Sequence, residues 1–154
     1  MMLKGWKVWL AVLGAFGIGQ LDPLGRAYLK LAEGVLPGMK VESLANPSPF
    51  ESIPSDEWVG ESEHAFAVND IDPQAPVHLL VIPKERIANI LDASPELIAE
   101  MIGLARSLAR SLAHERGVDE SGFRLVINTN PQGGQTVYHL HMHLIGGRQM
   151  GWLG

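Results

Sequence analysis

From His139 to Leu144 the chain alternates histidine with an apolar residue: His139, Leu140, His141, Met142, His143, Leu144. A period of two is the signature of a strand, whose side chains point to opposite faces in turn. Read so, the three imidazoles share one face, successive rings some 7 Å apart at a rise of ~3.3 Å per residue. Tyr138, Leu140, Met142 and Leu144 point the other way, where a helix can cover them. A helix would rotate successive rings by roughly 200° and scatter them around its axis. The flanking Val137, Tyr138 and Ile145 favour the strand. The run therefore demands a sheet with one core face and one face carrying three of the chain's six histidines.

The remaining segments supply such a sheet. "HAFAVND" (His64 to Asp70) alternates as a strand, and "DIDPQAP" reads as a turn because its prolines break any ladder. "VHLLVIP" (Val77 to Pro83) is a nearly continuous apolar strand. The clearest helix starts at Ser94, an N-cap, with Pro95 in the first turn and Glu96 complementing the helix dipole. Leu97, Met101, Leu104, Ala105, Leu108 and Leu112 form its apolar stripe, and Gly117 its C-terminal cap. Gly122 to Asn128 is a strand, followed by a glycine-rich loop and the histidine run. A loop that short favours antiparallel pairing, so the expected class is α+β, not a doubly wound sheet.

At 154 residues the length fits one domain, and 46% hydrophobic with 19% charged residues fits a folded chain. No cysteine is present, which removes disulfides and thiolate metal sites. A net charge of -5 argues against a nucleic-acid partner. The acidity lies late: the first 50 residues carry five basic and three acidic groups, the rest seven and fourteen. Val8 to Leu21 holds no charge, but at fourteen residues it is shorter than the ~20 a spanning helix needs. A short amphipathic helix from Leu24 to near Gly34 follows. The expected organisation is an apolar, helical extension over 1–45, a linker-like segment over 46–57, and a domain over 58–154. Residues 1–34 are the candidate for membrane contact.

Three histidines on one face admit three explanations. Ligands at i and i+2 on a strand, with an open position, would suit zinc. Alternatively, one ring is a nucleophile and the others donate to a phosphate. The third is a polar face without a role. The preceding "PQGGQT" (Pro131 to Thr136) favours phosphate chemistry. Gly133 and Gly134 permit positive φ and close backbone approach, successive N–H groups can form an anion nest, and Thr136 adds a hydroxyl.

"HLHMHLI" resembles the histidine triad (HIT) family, and "GGQTVYHLHMHLIGGRQMGW" is similar to its Hint branch, the purine nucleoside phosphoramidases. "NDIDPQAPVHLLVIPKERI" (Asn69 to Ile87) is similar to the first half of that branch. The resemblance covers about residue 58 to the C-terminus. It implies an α+β domain with a five-stranded antiparallel sheet and one long helix, paired in a homodimer into a continuous ten-strand sheet. It implies hydrolysis of the P–N bond of adenosine or guanosine 5'-phosphoramidates through a nucleotidyl-histidine on His141. His143 and His78 would flank the phosphate, and the His139 carbonyl would orient the nucleophile. Asn128, Gly134, Gln135 and Thr136 would border the phosphate, Asp70 would take the ribose hydroxyls, Ile71 would touch the base, and Trp152 would reach the partner subunit. No cofactor or metal is implied, and the expected location is cytoplasmic. Two other readings are a dinucleoside polyphosphate hydrolase of the same family and a nucleotide-binding or protein-interaction module with little turnover. The family's usual opening strand and helix are replaced by "PFESIPSDEWVGE", which leaves one wall of the cleft unaccounted for.

Overall fold

A computed structural model describes residues 23–116 and 118–151. Gly117, Trp152 and the apolar run Val8 to Leu21 lie outside them. The elements, in chain order, are helix α1 (Pro23–Ala45), two 3-10 turns (Pro49–Ser52, Ser55–Glu57), β1 (Gly60–Glu61), β2 (Ala65–Asn69), β3 (Val77–Pro83), α2 (Pro95–Arg116), the short α3 (Val118–Ser121), β4 (Phe123–Val126), a 3-10 turn (Pro131–Gly133) and β5 (Met142–Gly146). The five strands form one antiparallel sheet in the order β1-β2-β3-β5-β4.

α2 begins where its sequence signals place it. Ser94 Oγ accepts the Leu97 N–H at 3.2 Å, and the Ser94 carbonyl accepts from Ile98. Met101, Leu104, Ala105, Leu108 and Ala109 recur at helical spacing and are buried against Ala65, Ala67, Val77, Leu79, Val81, Leu140, Met142 and Leu144. The opposite face of the sheet carries Phe66, Val68, Leu80 and Ile82, covered by Phe50, Ile53 and Trp58. β3 is consequently buried along its whole length, which explains its almost unbroken apolar sequence.

The histidine run differs from its expected form. Only Met142 to Gly146 joins the sheet, because the ladder between β3 and β5 ends at Val81↔Met142. Upstream, the backbone bonds elsewhere. The Leu140 N–H donates to the Ile87 carbonyl at 2.6 Å, and the Tyr138 N–H donates to Ser43 Oγ at 2.8 Å. Outside the ladder, His139 is buried beside His141, both rings set against the ring of Phe50.

The N-terminal region also differs. α1 continues past Gly34 and Pro37 to Ala45, since Leu36, Met39 and Ser43 are buried at i, i+3 and i+7. Its last carbonyls are capped from outside: the Arg86 guanidinium donates to Ser43 O at 2.6 Å and to Asn46 O at 2.7 Å. The segment read as a linker is held by a capping box. Ser48 Oγ accepts the Phe50 N–H, while the Glu51 carboxylate accepts the Ser48 N–H at 2.9 Å. Among the described residues no helix is long and apolar enough to cross a membrane.

Candidate active site

Antiparallel register creates the histidine cluster. Leu80 pairs with His143 and His78 with Ile145, so His78 and His143 are diagonal neighbours on the face away from α2. Val126, opposite His143, lies on the same face, and continuing the period of two from Val126 puts Asn128 there as well. Above them a cavity of about 670 Å³ is lined by Asp70, Ile71, His78, Asn128, Gly134, Thr136, His141 and His143 among others. That volume falls within the roughly 300–1,000 Å³ of small-molecule sites.

Each imidazole has a fixed protonation pattern. His141 Nδ1 lies 2.8 Å from the His139 carbonyl oxygen, which can only accept, so the ring carries its proton on Nδ1 and a lone pair on Nε2. His139 Nε2 donates to Pro83 O at 2.9 Å, leaving Nδ1 to accept from Ser48 Oγ at 2.9 Å. His78 Nδ1 accepts the Gln74 N–H at 3.0 Å, so its proton resides on Nε2. That Nε2 lies 2.9 Å from His143 Nδ1 and 3.2 Å from Asp70 Oδ2. His143 Nδ1 therefore accepts, and its proton sits on Nε2, a buried atom with no hydrogen-bond partner among the described residues. At the cleft His141, with a lone pair on Nε2, thus stands beside His143, with its proton on a buried and unpartnered Nε2, the ring centroids being 5.1 Å apart.

Burial keeps these rings neutral. It pushes His141 and His139 below the ordinary imidazole range, and His78 too, against the opposing pull of Asp70 and Asp72. His143 is pushed down to about 3, first by burial and then by His141 and His78.

The phosphate-type loop is built by backbone needs. Asn130 adopts φ 62°, and Gly134 ends the 3-10 turn at φ 76°, a left-handed conformation that suits glycine. Gln135 is buried in this loop: its Oε1 accepts the Asn130 N–H and its Nε2 donates to Ala88 O and Val137 O. The Gln135 side chain braces the loop and does not line the cavity; nor does His139. Asp70 serves two neighbours, since its Oδ1 accepts the Asp72 N–H at 2.8 Å in an Asx turn while Oδ2 faces His78. Ile71 sits at the cavity rim, 91% exposed.

Sequence reasoning missed the wall over the triad. Phe50 sets its ring edge-on against His141 at 5.2 Å and His139 at 5.6 Å, and Glu42, Ser43 and Asn46 of α1 and its end extend that wall. The Ser-x-x-Glu pattern of Ser48 and Glu51 was the available signal.

Asp70 Oδ2, His78 Nε2 and His143 Nδ1 form a triangle of 2.9, 3.2 and 3.9 Å. Ligands of a tetrahedral zinc with bonds near 2.0–2.1 Å stand about 3.3 Å apart. The Gln74 N–H decides against that use. It holds the His78 proton on Nε2, where a metal would need a lone pair, so the three groups act as a hydrogen-bond chain.

An antiparallel α+β domain with three motif histidines around a phosphate-type loop defines a class of nucleotide-handling proteins, and comparison with known proteins agrees. The HIT domain family model matches residues 52–150. Purine nucleoside phosphoramidase of Escherichia coli K12 is 46% identical over 113 residues, covering 73% of this chain and 93% of that protein. A HIT-like protein of Synechococcus elongatus is 51% identical over 100 residues, 65% of this chain and 85% of that one. The crystal structure of a HIT family hydrolase from Legionella pneumophila superposes with a TM-score of 0.54 at 42% identity, covering 75% of this chain and 95% of that one. The chain belongs to the HIT family, in its Hint-like branch, and is a hydrolase.

Proposed function

We propose that the protein hydrolyses the P–N bond of adenosine or guanosine 5'-phosphoramidates through a nucleotidyl intermediate on His141. The observation that carries this is the 2.8 Å bond between His141 Nδ1 and the His139 carbonyl, which fixes the Nε2 lone pair for attack. Nε2 attacks the α-phosphorus, the P–N bond breaks, and the amine leaves as it takes up a proton. Water then attacks phosphorus, the Nε2–P bond breaks, and the proton that water releases balances the one the amine took. The His143 Nε2–H, with the Thr136 hydroxyl and the backbone at Gly134, meets the phosphoryl oxygens. Asp70 retains acceptor capacity for ribose hydroxyls.

The test is an acid quench during turnover of an adenosine phosphoramidate labelled in the nucleotide. Label on His141 is the expected result. Turnover without label on any histidine overturns the covalent route, and turnover confined to dinucleoside polyphosphates overturns the substrate class.

A further inference from the structure

The bend that follows the triad, Gly146-Gly147-Arg148, packs onto the turn that precedes β3. Gly147 has φ 83°, and a Cβ placed there would stand 3.2 Å from Pro76 Cβ. Arg148 directs Nε and Nη2 to the Gln74 carbonyl oxygen at 3.2 and 3.0 Å, while Nη1 donates to Gln149 O. The amide nitrogen of the same Gln74 donates to His78 Nδ1. This turn has little ladder support of its own, because Pro73 and Pro76 have no N–H to give. It is held by the Asp70 N–H on the His78 carbonyl, by the Asx bond at Asp70, by the Gln74 side chain on Asp72, and by Arg148 from beyond the end of the adjacent β5.

We propose that Arg148 is a positioning residue for the reaction. By gripping the Gln74 carbonyl it aims the Gln74 N–H at His78 Nδ1. That bond, together with the Asp70 carboxylate 3.2 Å from Nε2, holds His78 as the Nε2–H tautomer, whose proton faces His143 Nδ1 and leaves the His143 proton on Nε2. The chain of effects runs Arg148, Gln74, His78, His143 and ends at an N–H that has no partner among the described residues until a phosphoryl oxygen arrives. A planar guanidinium suits the task, since two of its N–H groups hold one carbonyl in a fixed direction and a lysine ammonium offers no such fork. Its assigned use rests on the phosphoramidase reading above, but the tautomer does not depend on any substrate.

The test reads histidine tautomers by long-range ¹H–¹⁵N correlation in the free, full-length protein. Wild type should show His78 and His143 as single Nε2–H tautomers. Arg148→Ala should give His78 a mixture, with kcat lowered on the order of 10-fold or more and KM little changed, as expected when a reacting group loses its orientation. Arg148→Lys should recover part of both. Gln74→Pro removes the N–H without touching Arg148 and should scramble the same tautomer, whereas Gln74→Ala keeps the N–H and should preserve it. A His78 that remains one tautomer in Arg148→Ala overturns the proposal, whatever happens to the rate. If wild type fails to turn over phosphoramidates, the substrate reading falls, and the tautomer result still decides the role of Arg148.

Discussion

Ser48 Oγ stands 2.9 Å from Nδ1 of His139, joining two side chains 91 residues apart. The contact makes the N-terminal segment part of the triad's support. Ser48→Ala leaves a buried ring nitrogen unpaired and removes a cap, and should cost about 1–3 kcal/mol. Cutting the chain after residue 47 should cost more, because Ser43, which receives the Tyr138 N–H, and Asn46, which anchors Arg86, go with it. Urea midpoints measure both. A truncated protein as stable as the full chain would show that the domain starts after residue 47.

His141→Ala removes the covalent route, so its loss of phosphoramidate turnover should exceed the ~10²–10³ that follows removal of one transition-state donor. His143→Ala and Thr136→Ala should fall in that smaller class, each deleting one phosphate contact. Mononucleotide affinity, measured by calorimetry, should survive in His141→Ala. Near-normal turnover in that variant would require another nucleophile.

Stability should fall on mild acidification. In the fold the buried histidines stay neutral below the ordinary value of 6.5, His143 down to about 3, whereas the unfolded chain takes up these protons as pH drops through 6.5. Their contribution is complete above 6.5 and is lost progressively below it, with a slope up to about 1.4 kcal/mol per pH unit for each such ring. Glu100 adds to the same decline at lower pH. The His64 N–H, the Ser62 side chain and the His64 ring hold its carboxyl at about 2, so its contribution is complete above the ordinary value of 4.5 and is lost as pH falls from there toward about 2. Denaturation midpoints from about pH 7.5 down to about pH 5 should show the decline, shallower in His143→Asn. A flat profile would mean these rings protonate freely in the fold.

Leu79 is 1% exposed at the centre of β3 and packs within the core beneath α2. Leu79→Ala should cost about 2–5 kcal/mol. The measurement is again the urea midpoint, and a loss below about 1 kcal/mol would mean that the site collapses around the gap.

β4 is an edge strand, with Phe123 37% exposed. An unpaired edge invites a twofold copy, consistent with the homodimer that the family resemblance implies. Sedimentation at micromolar concentration should give a dimer, and Phe123→Lys should shift it toward monomer. A wild-type monomer would refute the pairing. Trp152, the candidate contact across that dimer, lies outside the described residues.

The sequence alone determined the elements whose signals are local. β3 and α2 match their expected bounds because an apolar run closed by proline, and a serine cap followed by a helical stripe, act over a few residues. The triad, the glycine-rich loop and the turn at Asp70 were legible for the same reason. Tertiary structure decided what the alternating run could not. The ladder with β3 ends at Val81, so His139 lies outside the sheet and its ring, bonded to Ser48 and to Pro83 O, becomes a buried brace. It also decided which nitrogen of each ring carries the proton, since those partners are Gln74, Ser48, Pro83 and the His139 carbonyl, reached by folding rather than by spacing. α1 outran its sequence pattern because Arg86, some forty residues away, satisfies its last carbonyls. A residue pattern records propensity over one or two turns, whereas a hydrogen-bond partner or a buried face is supplied by whatever the fold brings alongside.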